Sequence, residues 1–195
     1  MAFSQRDRRW AKEALGGCDL TIGRAGCLVC SAASMLAGFG TPIDPRRLNL
    51  WLTDHQGYVR GCHFVFDSLR GLGANLSALI RCPHEPAPME VIAAALAANC
   101  GVLAMIDAVP AGRIEQHWVQ ILAVDGDDCG IMDPWRLPGQ EEVSLIEHYG
   151  LPGWDAAQAI LQVAIYTANH ERVIAFTYPD PRSMEAQGRM AQAAV

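Results

Sequence analysis

Apolar residues recur at helical spacing through the first two-fifths of the chain. From Cys27 the run CLVCSAASMLAGFG carries small and apolar side chains at this spacing, and its closing glycines are typical of a helix stop. A second helix is predicted over residues 45–54, because Asp44 is a suitable N-cap and a proline follows it. A third, short helix is expected over 64–72. Residues 1–26 show no clean periodicity, which predicts a short helix and an extended arm.

The remaining residues follow mainly strand patterns, with one predicted helix opened by proline over 86–99. The predicted strands span 75–81, 101–109, 117–124, 129–133, 159–167 and 172–178. Asp125-Gly126 is a hairpin turn signal between the third and fourth of these strands. We therefore expect an α+β fold in which a helical lobe packs on an antiparallel sheet lobe. One domain is predicted over 1–178, followed by a C-terminal tail over 179–195.

Composition excludes several classes of protein. A hydrophobic content of 51% with 18% charged residues is typical of a globular chain and excludes wholesale disorder. The net charge of −6 argues against nucleic-acid or anionic membrane partners. The most apolar stretch, 91–109, contains Asn99 and Asp107, so a helix followed by a buried strand explains it better than a membrane span. The polar start MAFSQRDRRW lacks the apolar core of a signal peptide, so we expect cytoplasmic synthesis.

Seven cysteines, an odd number in a chain without an export signal, predict reduced thiols by default. Cys27 follows Gly26 and opens a predicted helix, where the helix dipole and free backbone N–H groups favour a thiolate. Such a cysteine is a candidate nucleophile. The alternative is that Cys27 is one more small buried apolar side chain.

A nucleophilic cysteine needs a base and a group that orients the base. His117 begins a predicted strand, and Asp133 ends the strand that returns after the hairpin. A two-residue turn at 126–127 would pair His117 with Arg136, so a longer loop or a bulge is needed to bring Asp133 beside the imidazole. Alone, either residue has an ordinary structural explanation. The order Cys, His, Asp across a helical and a sheet half matches papain-type enzymes.

The sequence resembles the bacteriocin-processing-peptidase-like branch of papain-like cysteine peptidases, especially its stand-alone and phage-lysin members. The motifs that carry this resemblance, which covers about residues 3 to 166, are SQRDRRW, TIGRAGC, DPRRLN, GY and HWVQILAV…IMDPW. It implies that Cys27 is the nucleophile, His117 the general base and Asp133 the orienting carboxylate. Gln5 would donate to the oxyanion together with the Cys27 backbone N–H.

The resemblance also implies a papain-like fold, no cofactor, and a substrate that is a peptide, a protein or a peptidoglycan cross-link. It also implies a phage or bacterial origin, and for a phage-encoded protein a virion-associated or released location. Trp118 and Trp135 flank the proposed histidine and aspartate, so they either wall the substrate cleft or serve as ordinary core aromatics.

Two other classes of function stay open from the sequence. Cys27-x-x-Cys30 has a redox or zinc spacing, which Cys62-His63 or Cys82-x-His84 would complete as a metal site. Against a metal, Cys30 falls one turn inside an apolar helix, where packing is its expected role. The second class is a papain-like fold that serves as a binding or assembly module without catalysis, because fold alone does not fix function.

Overall fold

The structure is a computed structural model that describes residues 1–110 and 112–169 of the chain. In this part of the chain the α-helices are α1 (Ile22–Ala25), α2 (Cys27–Gly38), α3 (Pro45–Asp54), α4 (Met89–Ala97), α5 (Leu145–Tyr149) and α6 (Ala156–Ala159). The strands are β1 (Tyr58–Val59), β2 (His63–Phe64), β3 (Ala74–Arg81), β4 (Gly101–Asp107), β5 (Gln116–Asp125), β6 (Asp128–Met132), β7 (Glu142–Ser144) and β8 (Ile160–Ala168). The expected strand over 172–178, the tail from 179 and hence the predicted domain boundary lie outside the described residues.

The α+β prediction is confirmed by an antiparallel sheet with the strand order β3-β8-β4-β5-β6-β7 and helices on both of its faces. Helix α2 packs on one face, where its apolar side chains meet Leu103, Trp118 and Tyr166 of the sheet. The other face buries a second core with Val102 and Val119. Neighbouring residues of one strand thus point into different cores, as the alternation of side chains along a strand requires.

The helix predictions agree with the structure at their key positions. Helix α2 begins at Cys27, and α3 begins at Pro45 with the Asp44 carboxylate accepting a hydrogen bond from the Arg47 N–H at 2.9 Å. The helix expected over 64–72 is a 3₁₀ helix over Phe66–Leu72 rather than an α-helix. It ends where Gly73 takes a left-handed conformation with φ of 85°.

The hairpin between β5 and β6 contains the bulge that the sequence required. Asp125 pairs with Asp128 across a two-residue turn, and the register then shifts between Ile121 and Ala123. This β-bulge moves the end of β6 by one residue relative to β5. Continuation of the shifted register brings Asp133 opposite Val119, on the face of β5 that His117 shares.

The expectation of reduced thiols is wrong for one pair of cysteines. Cys18 and Cys62 form a disulfide, with Cα atoms 5.7 Å apart. Sequence reasoning missed this pair because the two residues are separated by 44 positions and meet only when the β1–β2 hairpin packs against the N-terminal arm. The backbone N–H of Gly17 also donates to the Gly61 carbonyl at 2.8 Å, so the disulfide reinforces an existing contact.

The lengths and the apolar character of the helices also bear on whether one of them could cross a membrane. Among the residues that the structure describes, no helix combines the length and the apolar character needed to cross a bilayer.

Candidate active site

A cleft of about 1220 Å³ opens between the start of α2 and the ends of the central strands. All of the site residues predicted from the sequence except Asp133 line this cleft: Gln5, Cys27, His117, Trp118 and Trp135. Asp133 lies behind His117 and is fully buried. The structure therefore brings the predicted residues to one place.

Cys27 is half-buried at the first position of α2, and Gly26 is the N-cap of that helix. A side chain at position 26 would not fit, because its Cβ would lie 2.5 Å from the Ile22 carbonyl oxygen. The glycine thus allows α1 to turn tightly into α2. Cys27 begins a 12-residue helix whose first N–H groups lack partners within the helix, an arrangement that stabilises negative charge nearby.

His117 lies at the start of β5 and is 6% exposed. Its Nε2 atom is 2.7 Å from Oδ1 of Asp133, which leaves Nδ1 available to the neighbouring Cys27. Burial opposes the charged imidazolium, but the hydrogen bond to Asp133 and the interaction with Cys27 outweigh it and raise the pKa of His117 to about 9. The ring is therefore protonated at neutral pH in this arrangement.

Asp133 directly follows β6 and accepts four hydrogen bonds from protein groups. Oδ1 accepts from His117 and from the Trp135 backbone N–H at 2.9 Å. Oδ2 accepts from the Tyr149 hydroxyl at 2.6 Å and from Arg136 Nε at 3.1 Å. Burial works against ionisation, yet the hydrogen bonds and the charge of His117 hold the pKa of Asp133 below its usual value. The carboxylate is thus fixed in place and ionised.

Sequence reasoning missed Tyr149 and Arg136 as parts of this site. Tyr149 is the last residue of α5, and burial together with the adjacent carboxylate raises its pKa, so its phenol stays protonated and donates to Asp133. Arg136, three residues after Asp133, is within reach through the local turn. That spacing was a usable signal for Arg136, whereas nothing in the sequence around Tyr149 indicates its partner.

Gln5 reaches the cleft because the N-terminal arm is tied to the loop after β6. The Gln5 backbone N–H donates to the Pro134 carbonyl at 2.7 Å, and the Ser4 hydroxyl donates to the Arg136 carbonyl. Its side-chain Nε2 donates to the Gly23 carbonyl at 3.1 Å. An amide nitrogen carries two hydrogens, so one remains for another acceptor. The Oε1 atom is buried without a hydrogen-bond partner among the described residues.

The two predicted tryptophans differ in their surroundings. Trp118 is 8% exposed, and its ring centroid lies 5.3 Å from that of Phe66, so it belongs to the core as well as to the cleft wall. Trp135 is 48% exposed, and the Arg6 guanidinium lies 5.6 Å from the centroid of its ring. Trp118 thus lies in the core and along the cleft, while Trp135 lies at the exposed edge of the cleft.

The cysteines of the metal and redox alternative do not gather into one site. Cys30 is buried inside α2, where burial raises the pKa of its thiol well above the ordinary value. Cys62 is bonded to Cys18. Within residues 1–110 and 112–169, no three His, Cys, Asp or Glu side chains come together in a group that could hold a metal ion.

Comparisons with known proteins add information at the level of the fold. No family model and no curated protein matches this sequence. A crystal structure from Bacillus anthracis, described as a "putative C39-like peptidase", is similar with a TM-score of 0.52 and 16% sequence identity. The match covers 87% of this chain and 95% of that one. At this identity the likeness supports a C39-like peptidase fold and carries no information on substrate.

Proposed function

We propose that this protein is a papain-like cysteine peptidase of the bacteriocin-processing-peptidase-like type, which hydrolyses an amide bond in a peptide. Cys27 is the nucleophile, His117 the general acid and base, Asp133 the orienting carboxylate and Gln5 an oxyanion donor. The observation that carries this proposal is the position of His117, whose Nε2 atom is hydrogen-bonded to Asp133 while the ring lies next to Cys27 in the same cleft. This is the arrangement that thiol-based acyl transfer needs.

Acylation requires a thiolate at Cys27 beside the imidazolium of His117. The sulfur attacks the substrate carbonyl carbon, and the carbonyl π electrons move to oxygen. The Cys27 backbone N–H and the second Nε2 hydrogen of Gln5 would bind that oxyanion. Collapse of the tetrahedral intermediate breaks the C–N bond, and His117 gives its proton to the departing amine. The product at this stage is a thioester on Cys27 and a neutral imidazole.

Deacylation uses the same groups in reverse. Neutral His117 takes a proton from water as the water oxygen attacks the thioester carbonyl. The second tetrahedral intermediate expels the Cys27 thiolate and releases a carboxylic acid. Asp133 keeps Nε2 protonated and the ring oriented in both steps, because its carboxylate is held by donors other than His117. The starting ion pair is restored and no cofactor is consumed.

An activity-based thiol probe on the wild type and on Cys27→Ala tests the proposal, followed by cleavage profiling with peptide and muropeptide libraries. We expect probe labelling and peptide cleavage in the wild type, and neither in Cys27→Ala or His117→Ala. Cys100→Ala is the matched control, because Cys100 is a free, half-buried cysteine that does not line the cleft. Cleavage that survives Cys27→Ala would exclude the peptidase. A labelled Cys27 without cleavage of any library member would favour the non-catalytic binding module.

A further inference from the structure

A row of side chains crosses the sheet beneath the cleft. Trp118 of β5 pairs with Met105 of β4, Met105 pairs with Gln162 of β8, and Gln162 pairs with Arg81 of β3. Residues directly opposite each other in antiparallel strands project from the same face. All four side chains line the cleft. The row therefore forms a floor that begins beside His117 and ends at Arg81.

The length of this floor determines which residue of an extended substrate lies next to Arg81. Three strand spacings separate β5 from β3, which is roughly 14 Å at about 4.8 Å for each spacing. An extended peptide advances about 3.3 Å per residue, so a chain laid along the floor from His117 reaches Arg81 after about four residues. The far end of the floor is thus within reach of a peptide whose scissile amide lies at Cys27.

Arg81 places a positive charge at the far end of the floor, although the whole chain is acidic; the Glu85 carboxylate is nearby but does not line the cleft. Arg81 and His84 are exposed and line the cleft. Neither side chain forms an ion pair or hydrogen bond with another residue in the described part of the chain. Glu115 carries the only carboxylate among the described residues that line the cleft, and it precedes β5, three strand positions away from β3.

The middle of the floor also offers an unused polar group. Gln162 is 9% exposed, and its side chain has no hydrogen-bond partner among the described residues. Because Gln162 lines the cleft, its amide is open to water or to a ligand and can both donate and accept. The backbone of an extended peptide lying between His117 and Arg81 would supply such a partner.

We propose that the cleft selects peptides with an acidic side chain about four residues from the scissile amide, bound by Arg81 with His84. This inference rests on the proposed function for the position of the scissile bond. It follows from the complementary charge of an unpaired arginine at the end of the floor and from the open hydrogen-bonding capacity of Gln162. A guanidinium binds a carboxylate through two parallel N–H groups, which gives directional selection.

The test uses decapeptides with blocked termini, in which one position at a time carries either Glu or its neutral isostere Gln. Cleavage rates are measured on the wild type, Arg81→Ala, Arg81→Lys and His84→Ala. Affinities of the same peptides are measured by fluorescence anisotropy on Cys27→Ala, with and without Arg81→Ala. Arg70→Ala is the matched control, because Arg70 is an exposed arginine paired with Asp67 and does not line the cleft.

We expect the wild type to favour Glu over Gln by about three- to tenfold at one position, with a smaller preference at high salt. Arg81→Ala should abolish the preference, Arg81→Lys should keep part of it, and Arg70→Ala should leave it intact. Equal cleavage rates and equal affinities for the Glu and Gln peptides would overturn the inference. A preference for Glu that survives Arg81→Ala would overturn it as well. If no peptide is cleaved, the proposed function fails while the binding measurement still decides the inference.

Discussion

The Nε2 atom of His117 lies 2.7 Å from Oδ1 of Asp133, although the two residues are separated by 16 positions and by a hairpin. The bulge between Ile121 and Ala123 makes this contact possible by shifting β6 one residue along β5. Without that shift, a two-residue turn would set His117 opposite Arg136. A local irregularity far from the cleft therefore determines the pairing on which the proposed chemistry depends.

The charge of His117 predicts how stability depends on pH. The pKa of the ring rises from an ordinary 6.5 to about 9 in the folded protein, so folding favours the protonated form. The resulting stabilisation is complete below about pH 6.5 and is lost as the pH rises through 9. We expect the free energy of unfolding, measured with urea, to fall by up to about 3 kcal/mol over this interval.

His117→Gln is the comparison variant for that measurement, because glutamine keeps a polar side chain but does not titrate. Its free energy of unfolding should change less between pH 6.5 and 9 than that of the wild type. The same decrease in both proteins would show that His117 is not the group responsible.

The hydrogen bonds to Asp133 predict graded effects of two substitutions. Asn at position 133 would retain an acceptor oxygen for His117 but turn an NH₂ group toward Tyr149 or Arg136, both of which are donors. Asp133→Asn should therefore lower the pKa of His117, seen by NMR titration of its ring, and reduce cleavage without abolishing it. Tyr149→Phe keeps the carboxylate and removes one donor to it, so it should reduce cleavage less than Asp133→Asn does and leave the pKa of His117 raised. An unchanged His117 titration in Asp133→Asn would contradict this account.

The sequence predicts the start of a helix well where a capping residue, glycine or proline marks it. The start of α2 at Cys27 follows from the glycine before it, and the start of α3 follows from Asp44 and Pro45. The strand ends differ by a residue or two, as at β4, which ends at Asp107 rather than at 109. These features depend on capping and periodicity, which a short segment contains in full.

Features that depend on distant contacts were not predictable in the same way. The position of β8 between β3 and β4, the disulfide from Cys18 to Cys62 and the role of Tyr149 all require the chain to be folded first. The need for a bulge could be deduced from the spacing of His117 and Asp133, but its place at Ile121–Ala123 could not.

Gln5→Ala tests the proposed oxyanion donor. Loss of one such donor costs about 10²–10³ in the rate of cleavage, because the negative charge on oxygen exists only in the transition state and the intermediate. Alkylation of Cys27 by iodoacetamide should change little, since that reaction forms no oxyanion. A melting curve would check that loss of the buried hydrogen bond to Gly23 leaves the protein folded. Cleavage at the wild-type rate in this variant would assign the oxyanion to another donor.

The disulfide predicts a loss of stability on its removal. Cys18→Ser with Cys62→Ser opens a loop of 44 residues, for which the chain-entropy relation gives about 4 kcal/mol. Engineered and natural examples vary, so we expect a loss of about 2–4 kcal/mol in the free energy of unfolding under oxidising conditions. Under a thiol reductant the wild type should approach the stability of the double variant. Equal stability of the two proteins in the absence of reductant would show that the disulfide does not form.

Mapped alkylation at pH 6 tests the central claim, that His117 activates Cys27 as a nucleophile. Iodoacetamide should modify Cys27 before Cys30, Cys82 and Cys129, because burial raises the pKa of those three thiols, and Cys100, the remaining free cysteine, serves as an internal reference outside the cleft. The same experiment on His117→Ala should show labelling of Cys27 at least tenfold slower. Mass spectrometry of the alkylated peptides gives both results. Equal labelling of several cysteines, preference for Cys30, or an unchanged rate at Cys27 in His117→Ala would contradict the assignment.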